Sequence, residues 1–172
     1  FVNFPSLVLI GQYLVTPEKV MYEFPTKQEI TEQKVAVVQS KDAPGVKQYP
    51  DNMIFIPKIG VQAPIGWDTK NSELTTALEK NVVHLEGTSK PGGVGNIFLT
   101  GHSSNYWWKE GDYNSVFALL PQLGENDEIV VTYQGEFHHY RVTGKQEMRK
   151  DEVSAHLEAS SEKLTIMTCV PV

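Results

Sequence analysis

The sequence predicts a mainly β domain, closed or sandwiched, and three observations carry that prediction. From Met53 onward, short runs rich in β-branched and aromatic residues are bounded by Gly and Pro. Helical periodicity is confined to a few brief stretches. Strands do not alternate with long amphipathic helices, which argues against serial βαβ units. At 172 residues the chain suits one domain with a sizeable core.

Residues 1–15 are apolar, with Leu7, Val8, Leu9, Ile10 and Leu14, but Asn3, Pro5 and Gln12 interrupt them. The stretch is shorter than the roughly 20 residues that span a bilayer. It reads either as the outer end of a membrane anchor or as a buried strand or helix. Residues 16–50 are polar and Pro-punctuated, a linker or wrapping extension with one candidate strand at Lys34 to Gln39. Residues 51–172 carry the β-like runs Met53 to Ile56, Asn96 to Thr100, Glu128 to Tyr133, Phe137 to Thr143 and Leu164 to Thr168. Candidate helices are Ser72 to Lys80, Ser115 to Leu120 with its Phe117, Leu120 and Leu123 spacing, and Asp151 to Ala159.

Composition narrows the function classes. Fifteen Lys and Arg stand against 21 Asp and Glu, a net charge of −6, so no global basic field exists to hold a nucleic acid. Gly92-Gly93-Val94-Gly95 precedes a strand rather than opening a helix, which makes it a turn and a poor phosphate loop. The acidic residues Glu147, Asp151, Glu152, Glu158 and Glu162 lack calcium-loop spacing and read as a solvated face. His138 and His139 are adjacent on a strand, point to opposite faces, and make a poor joint metal site. His84 and His156 read as surface or packing residues, and Tyr106-Trp107-Trp108 as a loop patch or substrate wall. No metal and no cofactor are expected.

Two residues remain for chemistry. The only cysteine, Cys169, comes directly after the strand-like Leu164 to Thr168, and its thiol is open to two readings: burial or reactivity. His102 holds a matching place, because Asn96 to Thr100 reads as a strand that Gly101 breaks just before the imidazole. A histidine beside a thiol can accept its proton, or as imidazolium lower the thiol pKa and later protonate a leaving group.

Thr100-Gly101-His102 and Thr165-Ile166-Met167-Thr168-Cys169 resemble the corresponding motifs of the sortases, cysteine transpeptidases of bacterial cell surfaces. The resemblance extends further. Ile56-Pro57-Lys58-Ile59-Gly60-Val61 with Ala63-Pro64-Ile65 is similar to the opening strand pair of that family. Gly92, Gly95 and Asn96 resemble its approach to the histidine strand. Phe117, Leu120, Leu123, Gly124, Asp127 and Ile129 to Val131 resemble the helix, turn and strand that it places after the histidine. Tyr140-Arg141-Val142 resembles the next strand, so the likeness runs from about Ile54 to the end of the chain.

The resemblance implies an eight-stranded β-barrel in which Cys169 attacks an LPXTG-like sorting signal and forms a thioacyl enzyme. An amine of the cell wall or of a pilin then resolves it. His102 is the implied general acid and base, and Thr168 is implied to line the substrate pocket or oxyanion region. The implied place is the outer face of the bacterial membrane, with an anchor upstream. The family carries an arginine on the strand after the cysteine, whereas Arg141 and Arg149 both precede Cys169, so a further strand bearing that arginine is expected beyond Val172. Asp42-Ala43-Pro44 stands where a pilin-polymerising sortase has its lid, but lacks the aromatic such a lid inserts. Two alternatives share these residues: a cysteine hydrolase with the same dyad, and a non-catalytic barrel in which Cys169 is buried and inert.

Overall fold

The computed structural model describes residues 49–104, 111–147, 149, 157 and 159–169. Expectations for the first 48 residues, for the Tyr106-Trp107-Trp108 patch, for His156 and for most of the third helix lie outside them.

Strand β1 spans Met53–Ile56 and turns through a short 3-10 segment, Pro57–Ile59, into β2, Val61–Thr69. Gly60 closes that turn at a φ of 66°, a left-handed conformation that costs a Cβ-bearing residue more than glycine, and its N–H donates to the Pro57 carbonyl at 3.1 Å. The pair is antiparallel, with Ile56 opposite Val61 and Ile54 opposite Ala63. Helix α1, Leu74–Leu78, then crosses over to β3, Val82–Leu85, which runs parallel to β2. Parallel neighbours require such a crossover, because a tight turn can only reverse the chain.

Strand β4, Asn96–Thr100, lies antiparallel to β3. Strand β5, Glu128–Tyr133, returns to pair with the other side of β1, and the turn at Gln134-Gly135 leads into β6, Glu136–Arg141. Strand β7, Lys163–Met167, runs parallel to β4. The order is β6-β5-β1-β2-β3-β4-β7, seven strands among the described residues where eight were expected. The two edges approach each other at one end. Glu162, just before β7, accepts through Oε1 from the Tyr140 hydroxyl of β6 at 2.8 Å and from the Gly92 N–H at 3.1 Å. The sheet is thus a nearly closed barrel with few helices, and none of its described helices is long and apolar enough to cross a membrane.

Inward-facing Ile54, Ile56, Val61, Ala63, Ile65, Val82, Ile97, Leu99, Ile129 and Val131 fill the barrel, and Leu164 and Ile166 pack against them. Alternation along β1 and β5 supplies the inward set, as period two demands. The helix expected over Ser115 to Leu120 is instead a series of turns that ends in a 3-10 segment, Leu120–Gln122. Pro121 contributes, since it has no N–H to donate to the Phe117 carbonyl, which accepts instead from the Leu120 N–H at 3.1 Å in a tighter turn.

His84 is fully buried on β3, stacked at 4.9 Å on Trp67. Its Nδ1 accepts from the Asp68 N–H at 3.2 Å, so Nε2 carries the proton and donates to the Ser89 carbonyl at 2.8 Å. Burial pushes the imidazole pKa below its ordinary 6.5, while the Ser89 contact and the Asp68 carboxylate, itself paired with Lys90, partly offset that push. Folded His84 therefore resists a proton that the unfolded chain accepts below 6.5, and folding stability falls as the pH drops from 6.5 toward the depressed folded value. Thermal unfolding between pH 8 and pH 5 is expected to show that fall, with a smaller one in a folded His84→Gln variant. An unchanged pH dependence in the variant would assign the fall to other groups.

Candidate active site

The site grows out of one pairing. Strands β4 and β7 run parallel and in register from Asn96 opposite Lys163 to Thr100 opposite Met167. All five β4 residues are buried, so this strand cannot slide without breaking the core. The Thr165 hydroxyl donates to Asn96 Oδ1 at 2.9 Å, pinning the register near its start.

Past Thr100 and Met167 the two strand ends remain tied. The Gly101 N–H donates to the Met167 carbonyl at 3.2 Å, and the Thr168 hydroxyl donates to the Gly101 carbonyl at 2.8 Å. His102 and Cys169 each come one residue later, at the carboxyl ends of adjoining parallel strands. Neighbouring strands lie about 4.8 Å apart, so the register brings the imidazole-bearing and thiol-bearing positions together although 67 residues separate them in the chain.

Their surroundings suit reactivity. Cys169 is a free, exposed thiol, so burial does not account for it, unlike most unpaired cysteines. His102 is half-buried, and its carbonyl accepts the Phe117 N–H at 2.9 Å. The turn segment that replaces the expected helix thus closes over the end of β4. A partly shielded imidazole and an exposed thiol carried on adjoining strand ends are groups of the kind that can exchange protons and still meet a ligand.

The other sequence candidates separate from this pair. His84 is a packing residue of the barrel, with both ring nitrogens hydrogen-bonded. His139 Nδ1 lies 3.0 Å from the Glu128 carboxylate on β5, while His138 borders a shallow depression with Gly92, Tyr133 and Glu136. That depression lies by the amino ends of β4 and β7, away from Cys169. Arg141 ends β6 opposite Glu128. Among the described residues no group of three or more His, Cys, Asp or Glu gathers to hold a metal.

Two contributors were not legible as site residues. Gly101 reads in sequence only as a strand breaker, and Phe117 only as one member of an apolar spacing. The repeat Phe117, Leu120, Leu123, every third residue, was the available signal, since a period of three belongs to 3-10 geometry rather than to an α-helix.

Comparison with known proteins identifies the family of the barrel. The family model described as Sortase domain matches residues 54–172. The chain is 26% identical to Sortase D of Bacillus subtilis (strain 168) over 163 residues, covering 85% of this chain and 75% of that protein. It is 27% identical to Sortase A of Bacillus anthracis over 122 residues, 69% of this chain and 51% of that protein. In three dimensions it is similar to sortase C1 from Streptococcus suis, with a TM-score of 0.58 at 24% identity, covering 95% of this chain and 86% of the other. With the sortase domain matched across the whole described barrel and on through the cysteine strand, the chain belongs to the sortase family, the bacterial cell-surface cysteine transpeptidases that act on surface proteins.

Proposed function

We propose that Cys169 is the nucleophile and His102 the general acid and base of a transpeptidation on an LPXTG-like sorting signal. The reading is supported by the in-register parallel pairing of β4 and β7, which ends with Thr100 opposite Met167 and leaves His102 and Cys169 each two residues beyond these adjoining strand ends. The Cys169 thiolate adds to the threonine carbonyl carbon of the Thr–Gly bond. As the tetrahedral species collapses, the C–N bond breaks and His102 gives its proton to the departing glycine amine. A thioacyl enzyme remains. An amine of the cell wall or of a pilin then adds to the same carbon, passes a proton to His102, and displaces the Cys169 thiolate as the new amide forms.

Thr168 stands beside the nucleophile, and its hydroxyl proton is engaged by the Gly101 carbonyl. It lines the substrate region through its remaining surface and holds the two strand ends together, while oxyanion stabilisation falls to other donors. Residues 51–172 are the catalytic barrel in this reading, residues 16–50 an extension, and residues 1–15 the outer end of an anchor that keeps the barrel on the outer face of the membrane.

Three outcomes test the reading in the full-length protein. Cys169→Ala and His102→Ala are each expected to abolish cleavage of an LPXTG-type peptide while leaving thermal unfolding nearly unchanged, and the double variant should lose no more than either single one. Near-normal turnover in folded His102→Ala would remove that residue from the chemistry.

Adding a glycine-type or lysine-type amine is expected to divert product from acid to amide in proportion to its concentration, read by mass spectrometry. A product ratio indifferent to amine would favour the hydrolase with the same dyad.

Thr168→Val removes the hydroxyl donor at nearly constant volume and is expected to cost about 1 kcal/mol of stability and to slow turnover. Thr168→Ser should retain both. Equal behaviour of the two variants would show that the bond to Gly101 contributes nothing.

A further inference from the structure

Gly101 joins the β4 strand to His102, and the reason for glycine there is space rather than backbone freedom. A Cβ at this position would lie 2.7 and 2.8 Å from the Phe117 ring carbons Cδ2 and Cε2, and 2.9 Å from Val116 Cγ1. Contacts that short do not occur between ordinary side chains, so the ring sits directly on the Gly101 backbone. Phe117 itself is fully buried and belongs to the barrel core alongside Leu99 and Ile97.

The same residue also reaches one position further. Its N–H donates to the His102 carbonyl at 2.9 Å. Turn hydrogen bonds on either side, from Val116 to the Tyr113 carbonyl and from Ala118 to the Ser115 carbonyl, hold the segment folded so that the Phe117 amide is presented to His102. On the opposite side of Gly101, β7 holds the peptide through the Met167 carbonyl and the Thr168 hydroxyl. Gly101 is therefore clamped between the cysteine strand and an aromatic ring anchored in the core.

We propose that Phe117 is a positioning residue for His102: its ring, seated on Gly101, sets the path by which the end of β4 delivers the imidazole toward Cys169. The proposal rests on the reading that Cys169 and His102 act as a pair. Phe117 touches neither substrate nor thiol in this scheme and acts only through the backbone of residues 101 and 102. Small displacements suffice, because misplacing a reacting group by about 1 Å can cost on the order of a hundredfold in rate.

The test uses the full-length protein and two readouts, the pH profile of Cys169 alkylation by iodoacetamide and the kinetics of LPXTG-peptide transpeptidation. Wild type and His102→Ala come first. If their alkylation profiles coincide, the pair itself is refuted and the proposal falls with it. If they differ, Phe117→Leu is expected to displace the wild-type profile toward that of His102→Ala and to lower kcat about tenfold or more, with KM within about twofold. Gly101→Ala should do the same by pushing on the ring from the other side. In Gly101→Ala combined with Phe117→Leu, the smaller side chain yields room, and the combined loss should be less than the product of the single losses. A folded Phe117→Leu that keeps the wild-type profile and kcat overturns the proposal, as do losses that simply multiply. Should Phe117→Leu fail to fold, Phe117→Met and Gly101→Ala address the same contact, and unfolding of all three would assign it to stability and overturn the positioning role.

Discussion

The parallel pairing of β4 with β7 is the constraint on which the rest depends. It is the only link in the described sheet between the segment carrying His102 and the segment carrying Cys169. Its register is held by burial of the whole of β4 and by hydrogen bonds at both ends, Thr165 to Asn96 at the start and Thr168 to Gly101 at the finish. A slip of one residue would turn Ile97 and Leu99 out of the core. Core packing and site geometry are thus the same fact seen at two ends of a strand.

The opposite end of the barrel uses different means. There a single carboxylate oxygen of Glu162 gathers the Tyr140 hydroxyl and the Gly92 amide, joining β6, the β4 approach and the start of β7. Burial and the neighbouring Glu162 charge both push the Tyr140 pKa upward, so its hydroxyl stays a donor across any pH the protein meets. The Trp67 ring packs on both His84 and Tyr133, and its indole N–H donates to Asn52 Oδ1 at 2.8 Å. At this end the polar groups named here bond to one another, and the positions of His102 and Cys169 lie at the other.

What could be read in the sequence divides along physical lines. β1, β4 and β5 were legible because their runs of Ile, Val and Phe are bounded by turn residues and fill the interior by alternation. β3 was not, because it is four residues long and one of them is a histidine, whose burial depends on Ser89 and Asp68 reaching it from elsewhere. The α1 helix was expected two residues longer at each end than it is. Cys169 and His102 were identified as residues at strand ends, but their adjacency rests on a parallel register that no local pattern encodes. The clamp of Phe117 on Gly101 was invisible for the same reason. Its signal was the absence of a side chain, which in a sequence looks like a turn.

The pairing that assembles the site also joins residues 67 apart in the chain, as the Thr168 bond to Gly101 illustrates. Non-local parallel contacts of this kind are reached late, after loop closure has been overcome and local turns have formed. Until β7 docks against β4, nothing in the sheet holds the Cys169 position next to that of His102. A chain short of that step keeps the two positions apart, so any joint chemistry they support waits on the completion of the fold itself.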